Sequence, residues 1–110
     1  MQNKLALVRA SAVVVLVAAS SPGLAQGRNV FEQTCAACHL GGVGGAPSIH
    51  DRQTWRVRLR QGEAVLVQHA LDGHGAMPPR GGNAMLSDAQ VRAAVRYMIS
   101  RAMAAQRGTP

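Results

Sequence analysis

Hydrophobic and polar positions along the chain recur at helical spacings, and no segment alternates strictly as a half-buried strand would. The clearest stripe is Val91, Ala94, Val95, Met98, Ile99 and Ala102, with Arg92, Arg96 and Arg101 largely off it. That pattern predicts a helix with one face to bury. Its start is marked by S-D-A-Q, in which Ser87 and Gln90 form a capping box and Leu86 can staple onto Val91. The tail AAQRGTP is expected to fray.

Three further helices are predicted upstream. Asn29 to Cys38 reads as one, closed by the glycine-rich loop LGGVGGAPS. Asp51 is placed to cap a second, DRQTWRVRLRQ, with Gly62 as its stop. A third covers Glu63 to Asp72, with Val65, Leu66, His69 and Ala70 on neighbouring turns and Gly73 beyond its end. The loop GHGAMPPRGGNAM that follows is too rich in glycine and proline to stay helical for long. The fold class is therefore all-α, with four to five short helices, no internal repeat and no linker.

The first residues have a different organisation. Lys4 and Arg9 precede an apolar run from Ala10 to Ala19, and a small-residue site ends at Ala25. This is the layout of a secretory signal peptide over residues 1–25, and the run is shorter than the roughly 20 residues a membrane helix needs. Retention as an uncleaved N-terminal anchor is the alternative. A single domain, residues 26–110, remains. It holds only three large aromatic residues, Phe31, Trp55 and Tyr97, so something other than protein is expected to fill part of its interior. Without Lys4 and Arg9 it carries ten arginines against five carboxylates. Such a balance in an exported domain favours acidic partners, and the lack of stacking aromatics opposes nucleic-acid binding.

The two cysteines stand in TCAACHL, Thr34 to Leu40. On a helix, Cys35, Cys38 and His39 occupy positions i, i+3 and i+4 and share a face. Two sulfurs and an imidazole so placed match the vinyl groups and the iron of a haem, and C-x-x-C-H is the c-type attachment signature. Structural zinc would need more ligands than the motif supplies, and a redox dithiol would want a strand before it. With His39 on one side of the iron, the opposite ligand decides between carrier and ligand-binding protein. Met/His ligation is the electron-transfer arrangement. Met77 is the best candidate, because Pro78 and Pro79 stiffen its loop; His74 is the alternative. Met98 and Met103 read as helix packing or tail, and Met85 as a gap-filler.

Taken in order, C-A-A-C-H, G-A-P, a lone tryptophan before R-x-R-x-R-Q-G, H-A-L-D-G, A-M-P-P-R-G-G and L-S-D-A-Q-V-R-A-A-V-R-Y-M resemble a class I c-type cytochrome of the cytochrome c5-like group. The resemblance covers nearly all of Asn29 to Met98. It implies first and last helices crossing over one covalently bound haem c, with Val30 and Phe31 against Val95, Tyr97 or Met98. It also implies thioethers at Cys35 and Cys38, iron ligands His39 and Met77, a Pro47 carbonyl accepting the His39 Nδ1 hydrogen, and Trp55 and Arg58 near the haem propionates. Some members carry a cysteine pair in the loop where this sequence has Asn83 and Leu86. The function implied is a periplasmic one-electron carrier rather than an enzyme, shuttling between respiratory or dehydrogenase partners, among them a membrane-bound reductase or terminal oxidase. Alternatives are a haem subunit held in a larger oxidoreductase and a ligand sensor with a displaceable sixth ligand. Arg52, Arg56 and Arg60 would then form either a solvated face or a docking strip for acidic redox partners.

Overall fold

The computed structural model of the protein describes residues 6–16 and 22–108. Residues 6–16 are irregular and exposed; Lys4 and the end of the apolar run, residues 17–19, lie outside the described residues. Helix α1, Pro22–Val30, passes through a single π-helical turn, Phe31–Cys35, into the short helix α2, Ala36–His39. Helices α3 (Arg52–Leu59), α4 (Glu63–Asp72) and α5 (Asp88–Gln106) follow, with 3-10 turns at Val43–Gly45 and Pro79–Gly82. Among the described residues there is no β-strand, only one isolated bridge between His74 and Met77. None of the helices is long and apolar enough to cross a membrane.

The first helix starts seven residues earlier than its sequence period suggests. Gly27 lowers the helical propensity of this stretch, but it is also what lets α1 lie against α5. Gly27 is buried, and a Cβ there would collide with the Ala93 carbonyl oxygen. The helix therefore extends over a residue that local preference disfavours, because packing on α5 compensates. It begins four residues before Gln26, the first residue of the expected domain.

Around this crossing two clusters form. Phe31, Ile49, Trp55, Met98 and Ala102 make one, with Phe31 and Tyr97 ring centroids 5.3 Å apart. Val67, Ala70, Val91 and Val95 make the other, with Leu66, Leu71, Leu86 and Ile99 at its edge. The predicted stripe of α5 is thus its buried face. On α4 the inward face is Leu66, Val67, Ala70 and Leu71, whereas Val65 is largely exposed.

Both anticipated caps are present. The Asp51 carboxylate accepts from Thr54 N at 3.1 Å and from Thr54 Oγ1 at 2.6 Å. Ser87 and Gln90 exchange reciprocal bonds of 3.1 and 2.8 Å. The C-terminal tail departs from expectation. Instead of fraying after Met103, α5 continues to Gln106, whose Nε2 donates to the Arg52 carbonyl at 2.7 Å. Thr109 and Pro110 lie outside the described residues. Met85 is 89 % exposed and fills no gap.

Candidate functional site

Cys35 closes the π turn and caps α2, so the motif sits where one helical register gives way to another. A π turn widens the helix by one residue and is often found at functional positions. Beyond it, α2 has ordinary α geometry through His39. Cys35 is half-buried, Cys38 exposed and His39 buried. Cys35 and Cys38 form no disulfide, and burial pushes the Cys35 thiol up to about 11.

The glycine loop folds back on α2 and fixes its end. Ile49 N donates to the His39 carbonyl at 2.8 Å, and Ser48 Oγ donates to the Leu40 carbonyl at 2.7 Å. The same fold-back sets the Pro47 carbonyl 3.0 Å from His39 Nδ1. With hydrogen on Nδ1, that bond fixes the tautomer and leaves Nε2 as the ring's free donor atom, the usual arrangement for a metal-binding imidazole.

Met77 lies in a tight loop between α4 and α5 and is half-buried against the second cluster. His74 N donates to Met77 O at 3.0 Å and Met77 N to His74 O at 2.9 Å. The turn depends on Gly73, which has φ of 85° and would place a Cβ 3.0 Å from both Met77 O and the Pro79 ring. His74 is exposed, and its ring stacks on His69 with centroids 3.9 Å apart. The segment after Met77 reaches the segment before Cys35, where Asn83 Nδ2 donates to Thr34 Oγ1 at 3.5 Å. The structure thus brings the Met77 loop and the π turn that carries Cys35 into one region of the molecule.

Trp55 is 5 % exposed within the first cluster, and Arg58 is half-buried one turn later on α3. Trp55 Nε1 and Arg58 Nε are buried without a hydrogen-bond partner. Buried donors are normally satisfied, so two orphans three residues apart point to an acceptor bound from outside the chain. Two thiols and an imidazole on one helical turn, an indole N–H and a guanidinium N–H without acceptors, and a thioether on a stiffened loop fit a haem with its anionic propionates. They do not fit a zinc site: no group of three or more His, Cys, Asp or Glu side chains among the described residues could hold a metal ion.

Arg80 was not singled out by its sequence context. It is the one non-glycine residue among those described with positive φ, 56°, and its guanidinium donates to the Leu86 carbonyl at 2.9 Å and to the Asp88 carboxylate at 2.6 Å. The string P-P-R-G-G marks a turn, but nothing in it reveals where the arginine reaches.

Comparison with known proteins gives a consistent set. A protein-family model described as cytochrome C oxidase, cbb3-type, subunit III matches residues 22–98. The chain is 42% identical over 81 residues to cytochrome c-555 of Chlorobaculum tepidum, covering 70% of this chain and 75% of that protein. It is 35% identical over 83 residues to cytochrome c5 of Ectopseudomonas mendocina, covering 74% and 95%. A solved cytochrome c, from the crystal structure of an electron transfer complex of nitrite reductase with cytochrome c, superposes with a TM-score of 0.67 at 42% identity, covering 76% of this chain and 99% of that one.

Proposed function

We propose, from the premise that this chain belongs to the matched cytochrome c family and within it to the class I c-type cytochromes of the c5 type, that it is a periplasmic one-electron carrier with His/Met ligation. The family carries electrons on one covalently attached haem c, and the small all-α fold is that of class I cytochromes. In this reading residues 1–25 are the export leader and residues 26–110 the haem domain. The observation that carries it is the turn Ala36–His39, which follows Cys35 directly and commits His39 Nδ1 to the Pro47 carbonyl.

The haem supplies a one-electron couple; the chain supplies everything else. Cys35 and Cys38 anchor it as thioethers, so it cannot leave when its charge changes. His39 is presented through Nε2, with Pro47 holding the ring's orientation and raising its donor strength. Met77 would offer a weak thioether from its loop, which is held by the His74 bridge, Gly73 and the two prolines. Ligation by His39 and Met77 together would favour the reduced state. Trp55 Nε1–H and Arg58 Nε–H would donate to the propionates, which would remove the cost of burying the two donors unsatisfied. The buried cluster of Phe31, Trp55 and Met98, against which Cys35 packs, would shield the group from water.

The partner is a redox protein with an acidic docking face. The superposed cytochrome c, in complex with a nitrite reductase, supports an oxidoreductase partner of that kind. Arg56 on α3 and Arg60 just beyond its end are exposed and available for such contact. A second reading has its own support in the description of the matching family, an oxidase subunit: here the chain would be a haem subunit held in a larger complex. Co-purification with membrane-bound partners, rather than release in the periplasmic fraction, would favour that reading.

The deciding experiment is a reduced-minus-oxidised optical spectrum of protein produced with haem-maturation machinery, together with its intact mass. The carrier reading requires one haem, two thioethers and a methionine-ligated spectrum that Met77→Ala abolishes. Free thiols would overturn it. Rapid carbon monoxide binding by the reduced wild-type protein would favour a sensor.

A further inference from the structure

The loop that carries Met77 has no covalent clip, since the only cysteines are Cys35 and Cys38. On its N-terminal side it is fixed by the paired bonds between His74 and Met77. On its C-terminal side the backbone runs through Pro78 and Pro79, whose locked φ angles reduce the freedom of the chain between Met77 and residue 80. There the chain adopts left-handed geometry at Arg80, with φ of 56° and ψ of 29°. Glycine is the residue suited to that conformation, and a side chain is tolerated there only where surrounding contacts hold it.

Arg80 has those contacts. One guanidinium nitrogen donates to the Leu86 carbonyl at 2.9 Å and the other to the Asp88 carboxylate at 2.6 Å. Leu86 is the residue packed beneath the start of α5, and Asp88 is its first residue. The arginine therefore spans the loop and joins the turn after Met77 to the rigid end of the longest helix. Its side chain is 29% exposed, so the guanidinium and its bond to Leu86 are partly shielded from solvent, while the Asp88 carboxylate is largely exposed. A planar guanidinium reaching two acceptors at once fixes orientation in a way an ammonium does not.

We propose that Arg80 is a positioning residue for Met77: its double contact with Leu86 and Asp88 keeps the ligand loop closed and thereby sets how readily an outside ligand replaces the methionine sulfur. This rests on the reading of Met77 as the sixth ligand. Each time the loop opens, a small nitrogenous base can take the position that Met77 has left.

The test uses the oxidised holoprotein and imidazole as the competing ligand, followed by the optical change on binding. Arg80→Ala is expected to raise imidazole affinity about tenfold or more, the scale set by losing a hydrogen bond to a charged group. Asp88→Asn should give a smaller rise, because the Leu86 contact persists, and Arg80→Lys should restore part of the wild-type resistance. Arg96→Ala, which breaks a different ion pair on α5, with Glu63, should leave the affinity unchanged. An Arg80→Ala affinity within about twofold of wild type overturns the proposal. If that variant does not accumulate as holoprotein, an unchanged affinity in Asp88→Asn overturns it instead. Met77→Ala separates the two levels: if it binds imidazole no better than wild type, the ligand assignment itself is wrong and the role of Arg80 falls with it.

Discussion

At Gly27, α1 approaches α5 so closely that one added methyl group would meet the Ala93 carbonyl oxygen, a backbone atom that cannot rotate away. Gly27→Ala is therefore expected to cost the holoprotein at least about 2 kcal/mol, read as a lower denaturant midpoint. Gly41→Ala, which meets nothing within 4 Å, serves as the near-neutral control. At Asp51, bonds from the Thr54 hydroxyl and backbone N–H hold the carboxyl below its ordinary value of 3.8. The folded chain thus binds its proton less readily than the unfolded one. Its stabilisation is complete above about pH 4 and is lost as pH falls through the lowered value. Asp51→Ala should lower the melting temperature at neutral pH, and the gap to wild type should narrow on acidification. At Cys35, burial holds the thiol protonated up to about 11.

Among the elements, α5 was the most legible, because a stripe, a capping box and a staple are local signals that agree. Ser87→Ala should destabilise it by about 1 kcal/mol, measurable by chemical denaturation. Asp51 and the span of α4 were legible for the same reason, and so was the spacing of Cys35, Cys38 and His39. What was not legible depends on distant parts of the chain. The start of α1 is decided by α5, against the propensity of Gly27. The end of α5 is decided by Arg52, 54 residues away in sequence, through Gln106. Gln106→Ala should accordingly speed amide exchange in the first turn of α3. The π turn before Cys35 has no simple sequence signature, and Arg80 conceals its reach for the same reason as Gln106: its acceptors lie beyond the turn that contains it. The Pro47 contact was anticipated only through resemblance to a family.

Over the whole molecule, charge is unevenly committed. Glu32, Glu63 and Asp88 pair with Arg28, Arg96 and Arg80, Asp51 caps α3, and Asp72 accepts from Gln68. The excess falls on arginines without an ion-pair partner among the described residues, including Arg56 on α3 and Arg60 just after it, and Arg101 on α5 and Arg107 just after it. Reversing the charge of Arg52, Arg56 and Arg60 together should slow electron transfer to an acidic partner and flatten its dependence on ionic strength; an unchanged salt slope would remove that strip from the docking surface. The seating of α1 on α5 also joins the beginning of the domain to its end. A chain threaded outward from its N-terminus delivers Cys35, Cys38 and His39 first, then must wait for Ala93 and its neighbours to emerge before its two ends can meet. For a chain exported as proposed above, passage through the channel would open an interval in which the attachment site is exposed before the fold closes, and a stop codon anywhere before α5 would leave that interval open.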